Sequence, residues 1–270
     1  MNQIANALGV SRPHLATTLR HPAKVRGRYT KADDEALLFR IRAIVDERPT
    51  YGYRRVHALL NREVGQGPVN HKRVYRIMKQ ANLLLTRARQ RPERPHDGKV
   101  VTLKSDLRWC TDMFEIRAWS GEKVYVAFAM DCCDREILSY VAEPRHLDGA
   151  DVRDLMAKAV EARFGDVRTP HPVEWLSDNG PPYTASETRK FGRDTGLRVR
   201  TTPSYSPESN GMAEAFVKTF KRDYVYVNDV RDAASIIRSL ESYFSDYNEN
   251  APHKGLKMLS PRMFRRANLS

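Results

Sequence analysis

The chain of 270 residues is poor in sulfur ligands, with 3 cysteines (Cys110, Cys132, Cys133) and no Cys-x-x-Cys pair. Adjacent Cys132 and Cys133 pair poorly, so a disulfide framework is excluded and a zinc finger finds no support. Each cysteine falls in or beside a run that reads as a strand, where a small buried thiol fits. No apolar run approaches the roughly 18 residues of a membrane helix, and Met1-Asn-Gln-Ile-Ala lacks a signal peptide's apolar centre. The expectation is a soluble cytoplasmic protein without a membrane partner. A Gly-rich loop ending in Lys-Ser/Thr is also missing, so no nucleoside triphosphate site is expected. Acidic charge is scarce in one region only. Residues 1–104 carry 22 Lys and Arg against 8 Asp and Glu, a net of +14, whereas residues 105–270 carry 24 against 25, a net of −1. The whole excess of +13 therefore lies in the first part of the chain. A length of this order suggests about two domains, and a basic module joined to a neutral one is the pattern of a nucleic-acid-binding arm on a catalytic domain.

The opening Gln3-Ile-Ala-Asn-Ala-Leu8-Gly-Val-Ser-Arg-Pro-His-Leu15 has the punctuation of a helix-turn-helix. Ile4, Ala5 and Leu8 make a stripe, Gly9 ends it, and Ser11 can cap a second helix with Pro13 in its first turn. Residues 1–20 read as part of such a unit, completed by fusion to an upstream reading-frame product; a short structural start is the competing reading. A basic, unpatterned connector covers 21–28. A helical module follows over 33–82. Its first helix spans 33–47 with Ala36, Leu37, Phe39, Ile41, Ile44 and Val45 as the apolar face. Its second opens at Tyr51-Gly-Tyr-Arg-Arg. Its third, after the Gly/Pro loop 65–68, runs over 71–81, capped by Asn70, with Val74, Ile77, Met78 and Ala81 inward. The candidate DNA-binding residues here are Arg54 and Arg55 at the start of the second helix and Lys72, Arg73 and Arg76 on the third, a capped basic helix able to enter a major groove. A solvated basic helix in a small bundle is the alternative, and which side chains meet bases rather than phosphates is open. Residues 86–105, aperiodic and rich in arginine and proline, read as a basic linker. It divides the helical region 1–85 from a core over 106–250, with a basic tail over 251–270.

The core alternates differently. Strands are expected over 108–118, 123–130 and 137–141 as an antiparallel meander, then a helix over 148–164, a strand over 173–177, a helix over 186–195, a strand over 197–201, and helices over 211–226 and 232–248. The fold class is therefore α/β, a ribonuclease-H-like core in which a mixed central sheet lies between helices, preceded by a basic all-helical region. Three acids stand out. Asp112 lies in the strand Trp109-Cys-Thr-Asp-Met-Phe114, Asp178 ends the apolar run in Trp175-Leu-Ser-Asp-Asn-Gly180, and Glu214 opens a helix after Ser206-Pro-Glu-Ser-Asn-Gly211. Two divalent ions roughly 3.5–4 Å apart need carboxylates from separate elements, and two strands and a helix can supply them. Competing acids are Asp131 and Asp134, which flank a turn where a surface role is expected; Glu115, which points to the opposite strand face; and Glu174 and Glu208. Tyr183, Tyr205 and Tyr224 are the alternative covalent nucleophiles, but no Arg-His-Arg set accompanies them.

Jointly, Tyr51-Gly-Tyr-Arg-Arg, Lys72-Arg-Val-Tyr-Arg-Ile-Met78, Trp109-Cys-Thr-Asp112, Asp131-Cys-Cys-Asp-Arg-Glu136, Trp175-Leu-Ser-Asp-Asn-Gly180, Ser206-Pro-Glu-Ser-Asn-Gly211 and Glu214-Ala-Phe-Val-Lys-Thr-Phe-Lys221 make the chain resemble the DDE transposases of bacterial insertion sequences. The resemblance is to the type encoded by a second open reading frame, covers residue 30 to the end, and extends more distantly to retroviral integrases. It implies that Asp112, Asp178 and Glu214 are the catalytic metal ligands for two Mg²⁺, with Mn²⁺ able to substitute. It makes Lys221, two helical turns after Glu214, a DNA contact, with Lys218 as its competitor or as an ion-pair partner of Glu214. Asn179 joins the DNA-binding candidates, in a tight turn where a side chain at Gly180 would obstruct DNA. The implied activity is binding of element ends, strand cleavage and 3′-OH strand transfer, with double-stranded DNA and a homo-oligomeric synaptic complex as partners. A catalytically inactive DNA-binding regulator and a ribonuclease-H-like nuclease are the alternative functions.

Overall fold

A computed structural model of the chain describes residues 2–20, 30–62, 67–86, 102–202 and 210–269. Helices α1 (Asn2–Ala7) and α2 (Arg12–Arg20) contact each other across a turn made by Gly9 at φ +64°. Ser11 Oγ accepts the amide of His14 at 3.3 Å, the expected cap. Of the expected stripe only Ala5 is buried; Ile4 and Leu8 are exposed. The connector 21–28 lies outside the described residues, as do 65 and 66 of the Gly/Pro loop.

Helices α3 (Asp34–Glu47), α4 (Tyr53–Leu60) and α5 (His71–Gln80) enclose a small core that includes Leu37, Ile41, Val56, Leu60, Val74 and Met78. Asn70 caps α5, its Oδ1 accepting the Lys72 amide at 2.8 Å. Phe39, expected inward, is 77% exposed. It sits two residues from Leu37 and from Ile41, about 200° round the helix from either, so it cannot share their face. Of the expected linker, 87–101 lies outside the described residues.

The second unit is built on one five-stranded sheet. Strands β1 (Arg108–Arg117), β2 (Lys123–Asp131) and β3 (Ile137–Glu143) form the expected antiparallel meander. Then follow α6 (Gly149–Phe164), β4 (Val173–Ser177), the short α7 (Pro181–Thr184), α8 (Ser186–Asp194) and β5 (Leu197–Thr201). The order is β3-β2-β1-β4-β5, with β4 parallel to both β1 and β5. A capping box of Asp148 and Asp151 starts α6, and left-handed Gly165 ends it. Alternation decides what covers each face of the sheet. Trp109, Ala127 and Ala129 pack with Val152, Leu155 and Met156 of α6. On the other face Cys110, Phe114, Val126 and Phe128 pack against α9 (Gly211–Phe220) and α10 (Ala233–Glu249).

Two elements depart from expectation. The helix after 211 is not uniform: its last turn, Lys221–Val225, is a π-turn closed by Tyr226 N–H on the Lys221 carbonyl at 2.9 Å. The stretch 251–270, expected as a basic tail, carries a 3₁₀ turn (Lys254–Leu256) and α11 (Pro261–Leu269). Pro261 suits a first helical position, and Arg262 of α11 reaches Glu136 and Glu249 at 2.8 Å each.

The helical module is fastened to the core by arginines. Arg48 forks onto Asp246 with two bonds of 2.7 Å. Asp223 accepts Thr50 Oγ1 at 2.6 Å and Arg55 at 2.7 Å. Arg62 donates to the carbonyls of Asn250 at 2.7 Å and Met258 at 3.0 Å.

Candidate active site

Strand register brings two of the three acids together. The parallel pairing of β1 with β4 runs through Cys110↔Leu176. Asp112 lies two residues further along β1, and Asp178 two residues further on, just past the end of β4, so the two acids leave the paired stretch in step, where the strands are about 4.8 Å apart. They point the way Cys110 and Leu176 do, towards the α9 face of the sheet. The start of α9 is pinned beside them: Asn210 Nδ2 donates to the Thr111 carbonyl at 3.0 Å, and Glu214 lies in the first turn.

The three acids act on one another. Asp112 has its carboxyl pushed up to about 6, first by burial and then by the charges of Asp178 and Glu214, against the amide of Met113, which it accepts at 2.8 Å. Asp178 is exposed beyond β4 and accepts the Gly180 amide at 3.0 Å. A Cβ at 180 would come to 3.0 Å from Asp178 Oδ1, so the nearest thing a side chain there meets is the carboxylate itself. Glu214 is half exposed and stands 3.5 Å from Lys218. All-carboxylate oxygen donors drawn together against their own repulsion are the donor set that Mg²⁺ or Mn²⁺ favours. Among the described residues no three His, Cys, Asp or Glu side chains are arranged to hold a metal ion. The acids are thus mutually close without forming a finished coordination shell.

The competing acids are occupied. Asp131 and Asp134 are buried rather than on a surface turn, a correction to expectation: both face the buried guanidinium of Arg163, at 3.4 and 2.8 Å. Asp106 and Glu136 complete that network at 2.6 and 2.7 Å. Glu115 pairs with Lys123 at 2.9 Å, and Glu174 pairs with Arg108. Glu208 and Tyr205 lie outside the described residues, as do 206–209 of the motif before α9. The other tyrosines are poor nucleophiles. Tyr183 is buried with its hydroxyl 3.0 Å from Thr111 Oγ1, and burial holds it protonated. Tyr224 is buried and donates to Asp246 at 2.8 Å.

The basic candidates divide. Lys221 lies over the Phe114 ring, 5.6 Å from its centroid, two residues from Asp112 on the same face of β1. Asn179 donates to the Thr202 carbonyl at 2.7 Å. Arg54 is exposed against Tyr53, and Lys72 is exposed. Arg55 is spent on Asp223 and stacks 3.4 Å over Tyr51. Arg73 and Arg76 both clamp Asp34 at 2.8 Å. Sequence reasoning missed Asn210 as a positioning residue. Its place just before α9 is that of an N-cap, yet its side chain makes no capping bond and holds β1 instead.

A sheet of this order with helices on both faces, an acid within its central strand β1 and another just past β4 is the integrase-type, ribonuclease-H-like core. Comparison with known proteins agrees. The HTH-like domain family matches residues 32–91, and the integrase core domain families match 103–207 and 195–261. The Escherichia coli transposase InsD for insertion element IS2A/D/F/H/I/K is 45% identical over 97% of this chain and 90% of its own length. InsD for insertion element IS2-9 of strain K12 is also 45% identical, over 97% of this chain and 88% of its own. Among solved structures, a chain of the simian T-cell lymphotropic virus intasome in complex with PP2A regulatory subunit B56 gamma is similar in fold, with a TM-score of 0.52 and 16% identity over 84% of this chain and 74% of that one. The chain belongs to the transposases of bacterial insertion sequences, of the second-reading-frame type with an integrase core. No helix among the described residues is long and apolar enough to cross a membrane.

Proposed function

We propose that this transposase cuts and joins DNA strands at its element's ends through Asp112, Asp178 and Glu214. The observation that supports the reading is the register of β1 on β4, which leaves Asp112 on β1 and Asp178 just past the end of β4, with the start of α9 and its Glu214 tied to β1 by the Asn210 bond to Thr111. The three carboxylates would hold two Mg²⁺, or Mn²⁺ in their place, and such ions supply an activated nucleophile and a stabilised leaving oxygen. The chain's own part is positioning. Asp112 is the half-buried member, held by the Met113 amide, while Asp178 and Glu214 are accessible enough to turn towards a common point. Lys221, beside Phe114, is placed for the phosphate next to the cut. One carboxylate set serves both the nick that frees a 3′-OH and the attack of that 3′-OH on a second phosphodiester. The second step conserves the number of phosphodiester bonds, so no nucleotide cofactor is needed.

Duplex element ends and target DNA are the substrates. Two ends must meet in one assembly, so a homo-oligomeric synaptic complex follows, and the upstream reading-frame product is a further partner, separately or as a fusion. Lys218, Asn179, Arg54 and Lys72 are carried as DNA contacts. Arg55, Arg73 and Arg76 can join them only by giving up acidic partners within the chain. Labelled duplexes from the ends of the DNA flanking the reading frame, incubated with Mg²⁺ or with EDTA, test the reading. Metal-dependent nicks and joined strands are expected for the wild type, with at least a hundredfold loss in Asp178→Asn. Binding without chemistry in the wild type would sink it in favour of a regulator, and cleavage of any duplex without joining would favour a nuclease.

A further inference from the structure

Beyond the carboxylates, β1 runs on without a neighbour on one side, because β4 pairs with it only over Arg108, Trp109 and Cys110. A cleft of about 400 Å³ opens near the far end of β1, lined by Glu115, Arg117, Trp119, Lys221, Tyr226 and Asn228 among others. Two large aromatic side chains stand in the open there, Trp119 at 67% and Tyr226 at 74% exposure. Neither is on a loose segment. The amides of Trp119 and Ser120 donate to the carbonyls of Val230 and Arg231 at 2.8 and 3.0 Å, which ties the β1–β2 hairpin to the chain before α10. Tyr226 closes the π-turn onto the Lys221 carbonyl, so one turn presents a cation and a ring to the same cleft.

The charges decide what such a cleft takes. Arg117 and Lys221 make no salt bridge among the described residues; both lie close enough to Glu115, the acid lining the cleft, to favour its charged form, while Lys123 pairs with it directly at 2.9 Å, so three cations face one acid. Rigid aromatics beside cations that outnumber the acid form a stacking platform with a phosphate seat. A protein-binding surface would share the tryptophan and tyrosine, but lysine is depleted at the centre of such interfaces. A duplex hides its base faces in the stack, so only an unpaired nucleotide can offer one to Trp119 or Tyr226. From Asp112 to Glu115 is three residues of strand, about 10 Å, and Lys221 borders both places.

We propose that this cleft binds an unpaired nucleotide of the DNA strand leaving the carboxylate site, its base against Trp119 and Tyr226 and its phosphate on Arg117 and Lys221. The proposal rests on DNA being the substrate, but not on the chemistry at the three acids, so it is tested without chemistry.

Trp109 and Trp175 are 0% exposed, leaving Trp119 as the tryptophan that acrylamide can reach. The full chain in EDTA is titrated with an oligothymidylate of about ten nucleotides and with an abasic oligomer of the same length and charge. The expected result is that oligothymidylate shields Trp119 from acrylamide while the abasic oligomer binds more weakly and does not. Trp119→Ala and Tyr226→Ala each weaken oligothymidylate binding roughly tenfold, and Trp119→Phe restores most of it. Equal binding of the two oligomers, with Trp119 unshielded, overturns the proposal. So does Trp119→Ala abolishing self-association while DNA affinity stays unchanged, since the cleft is then an interface between copies of this chain. A wild type that shields Trp119 yet fails to cut flanking ends separates failure at the carboxylates from failure of the cleft.

Discussion

Asp112 and Asp131 sit on neighbouring strands, both carboxyls are pushed up to about 6, and burial is the first cause in each. They differ in what else surrounds them. Asp131 meets Arg163 and three backbone amides, from Asp106, Cys133 and Asp134, which makes it a structural anchor. Asp112 meets two further acids and, among the described residues, has no salt-bridge partner, which leaves it to recruit a cation. The sequence motifs singled out Asp112, Asp178 and Glu214 because one lies within a strand, one follows a strand and one opens a helix, properties visible in a few residues around each. The role of Asp131 and Asp134 was not visible, because Arg163 arrives from α6 about thirty residues later. His253 was likewise silent in the sequence. Burial first, then the positive charges of Arg135 and Arg55, hold its imidazole down to about 3, with Asp223 acting weakly the other way and Arg62 adding to the repulsion. Among the described residues its Nε2 has no hydrogen-bond partner, and the ring packs edge-on to Tyr247 at 4.9 Å. The unfolded chain takes up this proton near pH 6.5 and the native chain does not. The contribution is therefore complete above pH 6.5 and is lost as pH falls towards 3. By pH 5 the loss reaches at most about 2 kcal/mol. Urea unfolding of wild type and His253→Phe at pH 7.5 and 5 isolates it. The gap between the two proteins should move in favour of the variant at the lower pH; a gap independent of pH removes His253 as the cause.

At the scale of elements, legibility followed locality. The meander, α6 and β4–β5 were readable because alternation and helical spacing are complete within each segment. The end of α9 misled for the same reason. Phe216, Phe220 and Tyr224 keep a four-residue spacing on a buried face, so the switch to a π-turn at Lys221 leaves no mark on the pattern. Helix α11 misled through its charge: Arg262 and Arg265 read as a solvated tail until Glu136, distant in sequence, supplies their partner. The placement of α9 against β1 depends on Asn210, whose buried amide donates to Thr111. Asn210→Ala should cost about 1–3 kcal/mol by leaving that carbonyl buried and unpaired. Asn210→Asp, which turns a carboxylate towards a carbonyl, should cost more. If the bond positions Glu214, strand joining under single-turnover conditions falls further than stability does, with end binding retained. Equal, parallel losses of binding and joining would reduce Asn210 to a structural role.

For the whole molecule, the uneven charge acquires a different meaning once the arm is docked. The net +14 of residues 1–104 pointed to a nucleic-acid-binding arm. Yet Arg48, Arg55 and Arg62 hold the core, and Arg73 and Arg76 hold Asp34. Composition counts such arginines as available because their partners, Asp246, Asp223 and the carbonyls of Asn250 and Met258, lie far along the chain. Arg54 and Lys72 remain outward. Each phosphate neutralised by a side chain adds about 0.9 to the slope of log affinity against log salt for duplex DNA. Lys72→Ala should therefore weaken duplex binding and flatten that slope by about 1. Arg55→Ala should leave the slope unchanged and instead leave Asp223 buried beside the module with only Arg222 and Thr50 for company. Its effect should appear as faster hydrogen exchange in α4 and in the π-turn, at the seam between module and core. A slope that flattens in Arg55→Ala while exchange at the seam stays at the wild-type rate would mean that Arg55 leaves Asp223 for phosphate when DNA binds. The arm would then dock on DNA by releasing the core.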